Sequence, residues 1–262
     1  MKVSIFSFAC NTNFPIDLVR RQYVKYLKDD YEFIVFNDSS DPKIHKDIQT
    51  IAEYNKAKHV KVPQTMHKCF NPSGGYAETL NWSVHEYAAI GDFDIIVLTH
   101  TDIFPICQIS MSEILGNYIV ASTTEFRKIG DIGVSYLYPA FTIINMKSLK
   151  QIGVHELDFG LAPGVDTGGK TKDFIAKYPN SVKLLPNYQA YYFLRTLNDN
   201  ESLAKYFKED LDITRVAGLS SGWISEGGMY HYMCGSAWNA NENSLFAQGH
   251  EKRMQLFLKY FY

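Results

Sequence analysis

Only four cysteines occur in the 262 residues, Cys10, Cys69, Cys107 and Cys234, and none falls in a CxxC pair. That pattern builds neither a zinc knuckle nor a disulfide framework, so a reducing, cytoplasmic setting is the expectation. No charge of one sign dominates either. Lys and Arg number 26 against 28 Asp and Glu, a formal net charge of -2, which offers no broad basic face to nucleic acid or to an anionic membrane. No apolar run approaches the roughly 20 residues of a membrane span, so no integral membrane segment is expected. The opening MKVSIFSFAC runs on into Asn11, Thr12 and Asn13 without a small-residue cleavage pattern, and reads as a first strand instead of a signal peptide. No GxGxxG occurs, which argues against dehydrogenase and methyltransferase chemistry.

What is present is apolar and aromatic. Hydrophobic residues make up 46% of the chain and aromatic ones 15%, with 18 tyrosines. The length suffices for a substantial buried core. The aromatic content suits sugar or base stacking and suits ordinary cores equally.

Strand and helix signals alternate through the first 105 residues. Val3 to Phe8 predicts a strand, and Ile16, Val19, Tyr23 and Tyr26 then recur at helical spacing. Phe33 to Phe36 predicts the next strand; Ile44, Ile48, Ile51 and Tyr54 mark a helix, and His59 to Val62 a short third strand. Ala77, Leu80, Val84 and Tyr87 predict another helix, with Gly91 as its stop. Phe93 to Leu98 follows as a buried strand running to His100. This alternation predicts an α/β fold, Rossmann-like, with a mainly parallel central sheet flanked by helices. Beyond it the pattern loosens. Phe141 to Asn145 reads as a strand, Thr171 to Tyr178 and Glu201 to Phe207 as helices, and Met254 to Tyr260 as a closing helix. One domain over 1–262 is expected, with a nucleotide-binding half (1–105) and an irregular half (106–262) that completes the acceptor and metal sites.

Chemistry-bearing residues collect at predicted strand ends. The run FDIIVLTHTD carries Asp102 to the rim where open α/β sheets bind ligands, with His100 two residues before it. An acid there is equally a turn former or a helix cap. The second strand ends in NDSSD, where Asp38 can accept hydrogen bonds from a base or ribose, while Ser40 and Asp41 before Pro42 make a good helix start. Both readings hold at once.

In order and spacing these elements resemble the GT-A fold glycosyltransferases, especially the family 2 type: an apolar strand with NDSSD, Ala77 and Asn81 on a helix ending in Gly91 and Asp92, then an apolar strand closing on xxD. The resemblance covers roughly the first 105 residues. It implies that Asp38 reads the nucleobase, that Asn81 lies near the nucleotide, and that Asp102 holds a divalent metal, Mn²⁺ or Mg²⁺, on the donor diphosphate. The first acid of the family's DxD motif is His100 here. A neutral imidazole can ligate manganese, although magnesium and manganese both prefer oxygen, and metal-independent transfer is an alternative.

A second resemblance lies in HYMCGSAW. His231, Gly235, Ser236 and Trp238 are similar to the His-Gly-Lys-Pro-Trp element of family 8 glycosyltransferases, the glycogenin type, with Ser236 and Ala237 in place of Lys and Pro. It implies that His231 completes the metal shell and that Gly235 and Ser236 contact the diphosphate. Physically, a neutral His is a good ligand and a Gly lets backbone N–H groups approach phosphate. A histidine in an aromatic segment is otherwise a packed one.

Asp166, in GVDTGG, is the candidate general base for the acceptor hydroxyl, with Gly168 and Gly169 giving the acceptor room. The alternative is that Asp166 or Thr167 caps the helix that follows. The family 2 likeness implies inversion and the family 8 likeness retention, in which Asp166 would hold donor hydroxyls instead. Gly218, Ser220 and Gly222 satisfy GxSxG, but Gly227 and Gly228 interrupt the helix that a nucleophile elbow requires. The expected activity is transfer of a sugar from a nucleoside diphosphate sugar, UDP-sugar by analogy, to a glycan or other hydroxyl acceptor. Alternatives are a binding module of the same fold without turnover, and a nucleotidyltransferase, which would release pyrophosphate.

Overall fold

The computed structural model describes residues 1–10, 16–69, 71–189, 201–217, 222–225, 228–232 and 245–261. It contains the strands β1 (Val3–Ala9), β2 (Tyr31–Asn37), β3 (Lys58–Lys61), β4 (Ile95–His100), β5 (Ile103–Pro105), β6 (Val120–Ile129), β7 (Ile132–Asn145), β8 (Val182–Leu185), β9 (Asn187–Gln189), β10 (Trp223–Ser225) and β11 (Met229–His231). Its α-helices are α1 (Ile16–Tyr26), α2 (Pro42–Tyr54), α3 (Pro72–Trp82), α4 (Met111–Leu115), α5 (Met146–Ile152), α6 (Thr171–Lys177), α7 (Glu201–Ala217) and α8 (Leu245–Phe261). Two compact units interleave along the chain. The first comprises Met1–Asn13, Leu27–His100 and Ile109–Leu185; the second comprises Phe14–Tyr26, Thr101–Gln108 and Pro186–Tyr262.

In the first unit seven strands form one sheet in the order β3-β2-β1-β4-β7-β6-β8. The strands β1 to β4 are mutually parallel, as the alternation of strands and helices predicts, with Phe6 opposite Ile34 on one side and Leu98 on the other. Burial explains the choice of residues: β1 is buried along its whole length and β4 over its first five residues, the mark of strands covered on both faces. Leu80, Val84 and Ala88, from α3 and the π-helical segment Ser83–Ala88 that continues it, pack on Phe6, Phe36 and Leu98 in this core.

The loosely patterned region after residue 105 is more regular than its sequence suggests. The expected strand at Phe141 to Asn145 is the end of the 14-residue β7, which runs antiparallel to β4 and β6. Gly130, at φ +59°, takes the first of the two turn positions between β6 and β7, where a tight hairpin demands glycine. This single reversed strand makes the sheet mixed while leaving it mainly parallel.

In the second unit four short strands form an antiparallel sheet, β5-β11-β10-β9. The helix expected at Glu201 to Phe207 continues to Ala217, and the closing helix begins earlier, at Leu245. Phe104, Tyr206, Tyr230 and Phe257 stack edge to face between the strands and these helices. Arg253 is fully buried among them and pairs with Asp210 through Nε at 2.7 Å and a terminal nitrogen at 3.2 Å. Among the described residues no helix is long and apolar enough to cross a membrane.

Candidate functional site

Three clusters gather the residues that the sequence singles out. The first surrounds Asp38, immediately after β2. Asn37 shapes the turn: its Oδ1 accepts the Ser39 N–H at 3.2 Å and its Nδ2 donates to the His45 carbonyl at 2.9 Å. Asp41 caps α2 by accepting from the N–H groups of Lys43 and Ile44, with Pro42 in the first turn, so the helix-start reading of NDSSD is correct. Asp38 is thereby left for other work. Its Oδ1 accepts from Gln64 and from Nε2 of His67, both at 2.8 Å, and its Oδ2 accepts from the Thr79 hydroxyl at 2.6 Å.

His67 bridges onward, with Nδ1 3.3 Å from Oε2 of Glu78, and Glu78 also accepts the N–H groups of Lys68 and Cys69. Burial opposes a charge on His67, but its hydrogen bonds and proximity to Asp38 and Glu78 prevail and hold it above its ordinary value. Burial, reinforced by the Asp38 charge, pushes the neighbouring Cys10 thiol up to about 11, which keeps it protonated at neutral pH. Sequence reasoning missed Gln64, His67, Glu78 and Thr79. Glu78 and Thr79 lie on the same helix as Asn81, but no spacing rule ties Gln64 and His67 to Asp38, 26 and 29 residues earlier.

The second cluster holds the metal candidates. His100 ends β4 opposite Phe8 in register, its ring centroid 4.7 Å from that of Tyr76. Asp102 follows it by two residues, so chain connectivity alone keeps their Cα atoms within about 7 Å. In the second unit, β5 and β11 pair with Ile103 opposite His231, and the Tyr232 N–H donates to the Asp102 carbonyl at 2.9 Å. This ladder sets His231 Nε2 3.6 Å from Asp102 Oδ1, the two side chains 13% and 9% exposed. The separation exceeds a hydrogen bond. It is short enough for both atoms to reach one ion at about 2.1 Å each. The carboxylate suits magnesium or manganese, and the imidazole is a nitrogen donor of the kind transition metals accept. Gly235, Ser236 and Trp238 lie outside the described residues, as do Gly218 and Ser220 of the GxSxG match.

The third group lies in the first unit beyond β7. The Asn81 amide donates to Asp158 Oδ1 at 2.7 Å and accepts the Phe159 N–H at 2.8 Å, while Lys170 reaches Asp158 Oδ2 at 3.0 Å. Burial raises the Asp158 carboxyl, but the Gly160 N–H, Asn81 and Lys170 prevail and hold it below the ordinary range. Both ends of the Asn81 amide thus join two segments of chain. Asp166 lies 3.5 Å from Arg127 and accepts the Thr167 N–H at 2.8 Å, its side chain 40% exposed. Burial raises its carboxyl too, yet hydrogen bonds from Ser73 and Thr167 and the Arg127 charge bring it below the ordinary range, which weakens it as a base.

Two expectations here need correction. Neither Asp166 nor Thr167 caps α6: the capping position is Lys170, without a side-chain bond, and the Thr167 hydroxyl donates to the Ser73 carbonyl at 2.7 Å. Gly168 and Gly169 do not open room for an acceptor either. A Cβ on Gly168, at φ +88°, would stand 2.7 Å from the Leu137 carbonyl, and one on Gly169 2.9 Å from the Ala162 nitrogen, so the chain itself fills the space.

No family model and no curated protein matches the chain. Solved structures do. The bifunctional glycosyltransferase WbbM in its apo form is 11% identical with a TM-score of 0.47, over 70% of this chain and 38% of that one, so the present chain spans well under half of WbbM. Glucosyl-3-phosphoglycerate synthase from Mycobacterium tuberculosis, in complex with Mn²⁺, UDP and glucosyl-3-phosphoglycerate, is 14% identical with a TM-score of 0.44, over 84% of this chain and 81% of the other. Mannosyltransferase PcManGT from Pyrobaculum calidifontis, in complex with GDP-Man and Mn²⁺, is 13% identical with a TM-score of 0.44, over 70% and 54%. The mainly parallel, helix-flanked sheet of this chain is the α/β architecture that its sequence predicts.

Proposed function

We propose that the protein is a glycosyltransferase that moves a sugar from a nucleoside diphosphate sugar, a UDP-sugar by preference, to a glycan or other hydroxyl acceptor with the help of Mn²⁺ or Mg²⁺. The observation that carries this reading is the placement of the Asp102 carboxylate 3.6 Å from the His231 imidazole, both largely shielded from water, just beyond the carboxyl end of the parallel strand β4. Asp102 and His231 would hold the metal. A dication so bound supplies Lewis-acid stabilisation of the charge on the departing diphosphate, on the order of several kcal/mol. Asp102 contributes the negative charge that retains the ion. His231 contributes a lone pair and must be neutral to do so.

Asp38 takes the nucleobase on the carboxylate oxygen that keeps an open lone pair. Asp166 is offered as the acceptor-side carboxylate. It takes the hydroxyl proton in an inverting transfer, or orients donor hydroxyls in a retaining one. Gly235 and Ser236 are assigned to the diphosphate.

The first test is donor hydrolysis. With Mn²⁺ and a panel of UDP-, GDP- and TDP-sugars, release of nucleoside diphosphate supports the reading, and Asp102→Ala should abolish it. His100, standing where the family has an acid, favours a second reading as a donor-binding module without turnover. Binding of donor with no release under any metal would establish that reading in place of the first. Release of pyrophosphate would identify a nucleotidyltransferase.

A further inference from the structure

Asp38 meets three donors with two oxygens, and they are unevenly shared. Gln64 Nε2 and His67 Nε2 both reach Oδ1 at 2.8 Å, while Thr79 Oγ1 alone donates to Oδ2 at 2.6 Å. A carboxylate oxygen has about two lone-pair sites, so Oδ1 is filled and Oδ2 keeps one. With the side chain 10% exposed, little of the carboxylate is open to a ligand.

From this asymmetry we infer that Asp38 is a single-acceptor reader, which takes a base presenting one ring N–H, of the uracil or thymine type, and discriminates against guanine. The inference rests on the glycosyltransferase reading, in which Asp38 faces the nucleobase. Guanine presents an adjacent ring N–H and amino group that together match both oxygens of one carboxylate. With Oδ1 filled, one of those donors is left unpaired as it enters a desolvated site, which amounts to about 10- to 100-fold in affinity. Gln64 and His67 then determine specificity without touching the base.

The arrangement is built to keep Oδ1 filled. His67 lies between two carboxylates, Asp38 at 2.8 Å and Glu78 at 3.3 Å, and Glu78 is itself fixed by the N–H groups of Lys68 and Cys69. Only the imidazolium donates from both ring nitrogens. The charge that the two acids favour on His67 is thus the form that satisfies both of them.

The test is calorimetric binding of UDP, TDP and GDP to the full chain with Mn²⁺, in wild type, Gln64→Ala, His67→Gln and the Gln64→Ala/His67→Ala double variant. Gln64 is exposed, so its truncation leaves the fold intact. UDP and TDP should bind at least about 10-fold more tightly than GDP. Gln64→Ala should narrow that ratio and the double variant should narrow it further, while His67→Gln, which keeps one donor, should preserve most of it. GDP binding as tightly as UDP to the wild type would overturn the inference and leave the glycosyltransferase reading standing. So would a ratio unmoved in both Gln64→Ala and the double variant. Failure of all three nucleotides to bind would remove that reading and this inference with it.

Discussion

His231 lies opposite Ile103 across β5 and β11, and that register, locked by the Tyr232 N–H on the Asp102 carbonyl, holds the imidazole 3.6 Å from the Asp102 carboxylate. The pair is set by backbone pairing within a small sheet, so changing either side chain should leave its partner in place. Asp102→Asn keeps the volume and removes the charge; His231→Gln removes the imidazole. Each should weaken Mn²⁺ binding by about 10- to 100-fold and slow release of nucleoside diphosphate by at least as much. Titration with Mn²⁺ alone checks the first effect separately from turnover. Unchanged Mn²⁺ affinity in both variants would remove the pair from any role as ligands.

The His67 bridge predicts a pH-dependent contribution to stability. Its folded-state value lies above the ordinary 6.5, so the bridge stabilises fully below about pH 6.5 and fades as pH rises through the folded value. Glu78 works in the opposite sense. Burial raises its carboxyl, but the N–H groups of Lys68 and Cys69 and the His67 bond prevail and hold it below the ordinary 4.5, so its contribution is lost as pH falls through that lowered value. The difference in urea midpoint between wild type and His67→Gln should therefore be greatest between about pH 4.5 and 6.5, and should shrink by pH 8.5. A difference that grows toward alkaline pH would show that the ring is not held as a cation.

Periodicity and local spacing made the parallel half of the sheet readable in advance. Val3 to Phe8 and Phe93 to Leu98 are apolar runs that only a doubly covered sheet buries, and Asp41 with Pro42 is a complete local helix signal. The strand β6 and most of β7 were not legible. Thr124 to Ile129 and Ile132 to Val134 lie largely exposed, so they carry no apolar pattern to detect. At the candidate site, Asp102 and His231 are 129 positions apart, and no sequence rule places them on facing segments; only a family likeness suggested the pairing. Gln64 and His67 went unnoticed because hydrogen bonds to Asp38 leave no mark on residue spacing. Gly168 was misread for a related reason: glycine in a sequence shows freedom, but not whether a ligand or the Leu137 carbonyl takes the space.

Arg253 and Asp210 form a buried ion pair, with side chains 0% and 3% exposed. The guanidinium also lies 4.2 Å from the Tyr232 ring centroid, which couples the pair to the residue whose N–H holds Asp102. Arg253→Met leaves Asp210 charged and unpaired among buried tyrosines, and should lower unfolding free energy by about 3–5 kcal/mol. Replacing both, as Asp210→Leu with Arg253→Met, should recover most of that loss, because the unpaired charge is gone. Urea denaturation of the three proteins checks this, and equal losses in the single and double variants would contradict it.

Asn81 offers the sharpest separation of a structural role from a nucleotide-binding one. Its amide donates to Asp158 and accepts from the Phe159 N–H, and the same carboxylate takes the Gly160 N–H and Lys170. Asn81→Ala strips one acceptor from a backbone N–H and one donor from a half-buried carboxylate, so a loss of about 1–3 kcal/mol in unfolding free energy is expected. Asn81→Asp keeps the acceptor but sets one carboxylate against another, and should be no better tolerated at neutral pH. Lowering the pH toward the ordinary carboxylate range protonates the new acid and restores a donor, so Asn81→Asp should regain stability relative to Asn81→Ala as pH falls. UDP affinity, measured well below the melting temperature of each variant, should stay within about 3-fold of wild type if the amide serves only as a clamp between chain segments, since that is under 1 kcal/mol. A fall in affinity beyond that, with stability preserved, would instead put Asn81 in contact with the nucleotide.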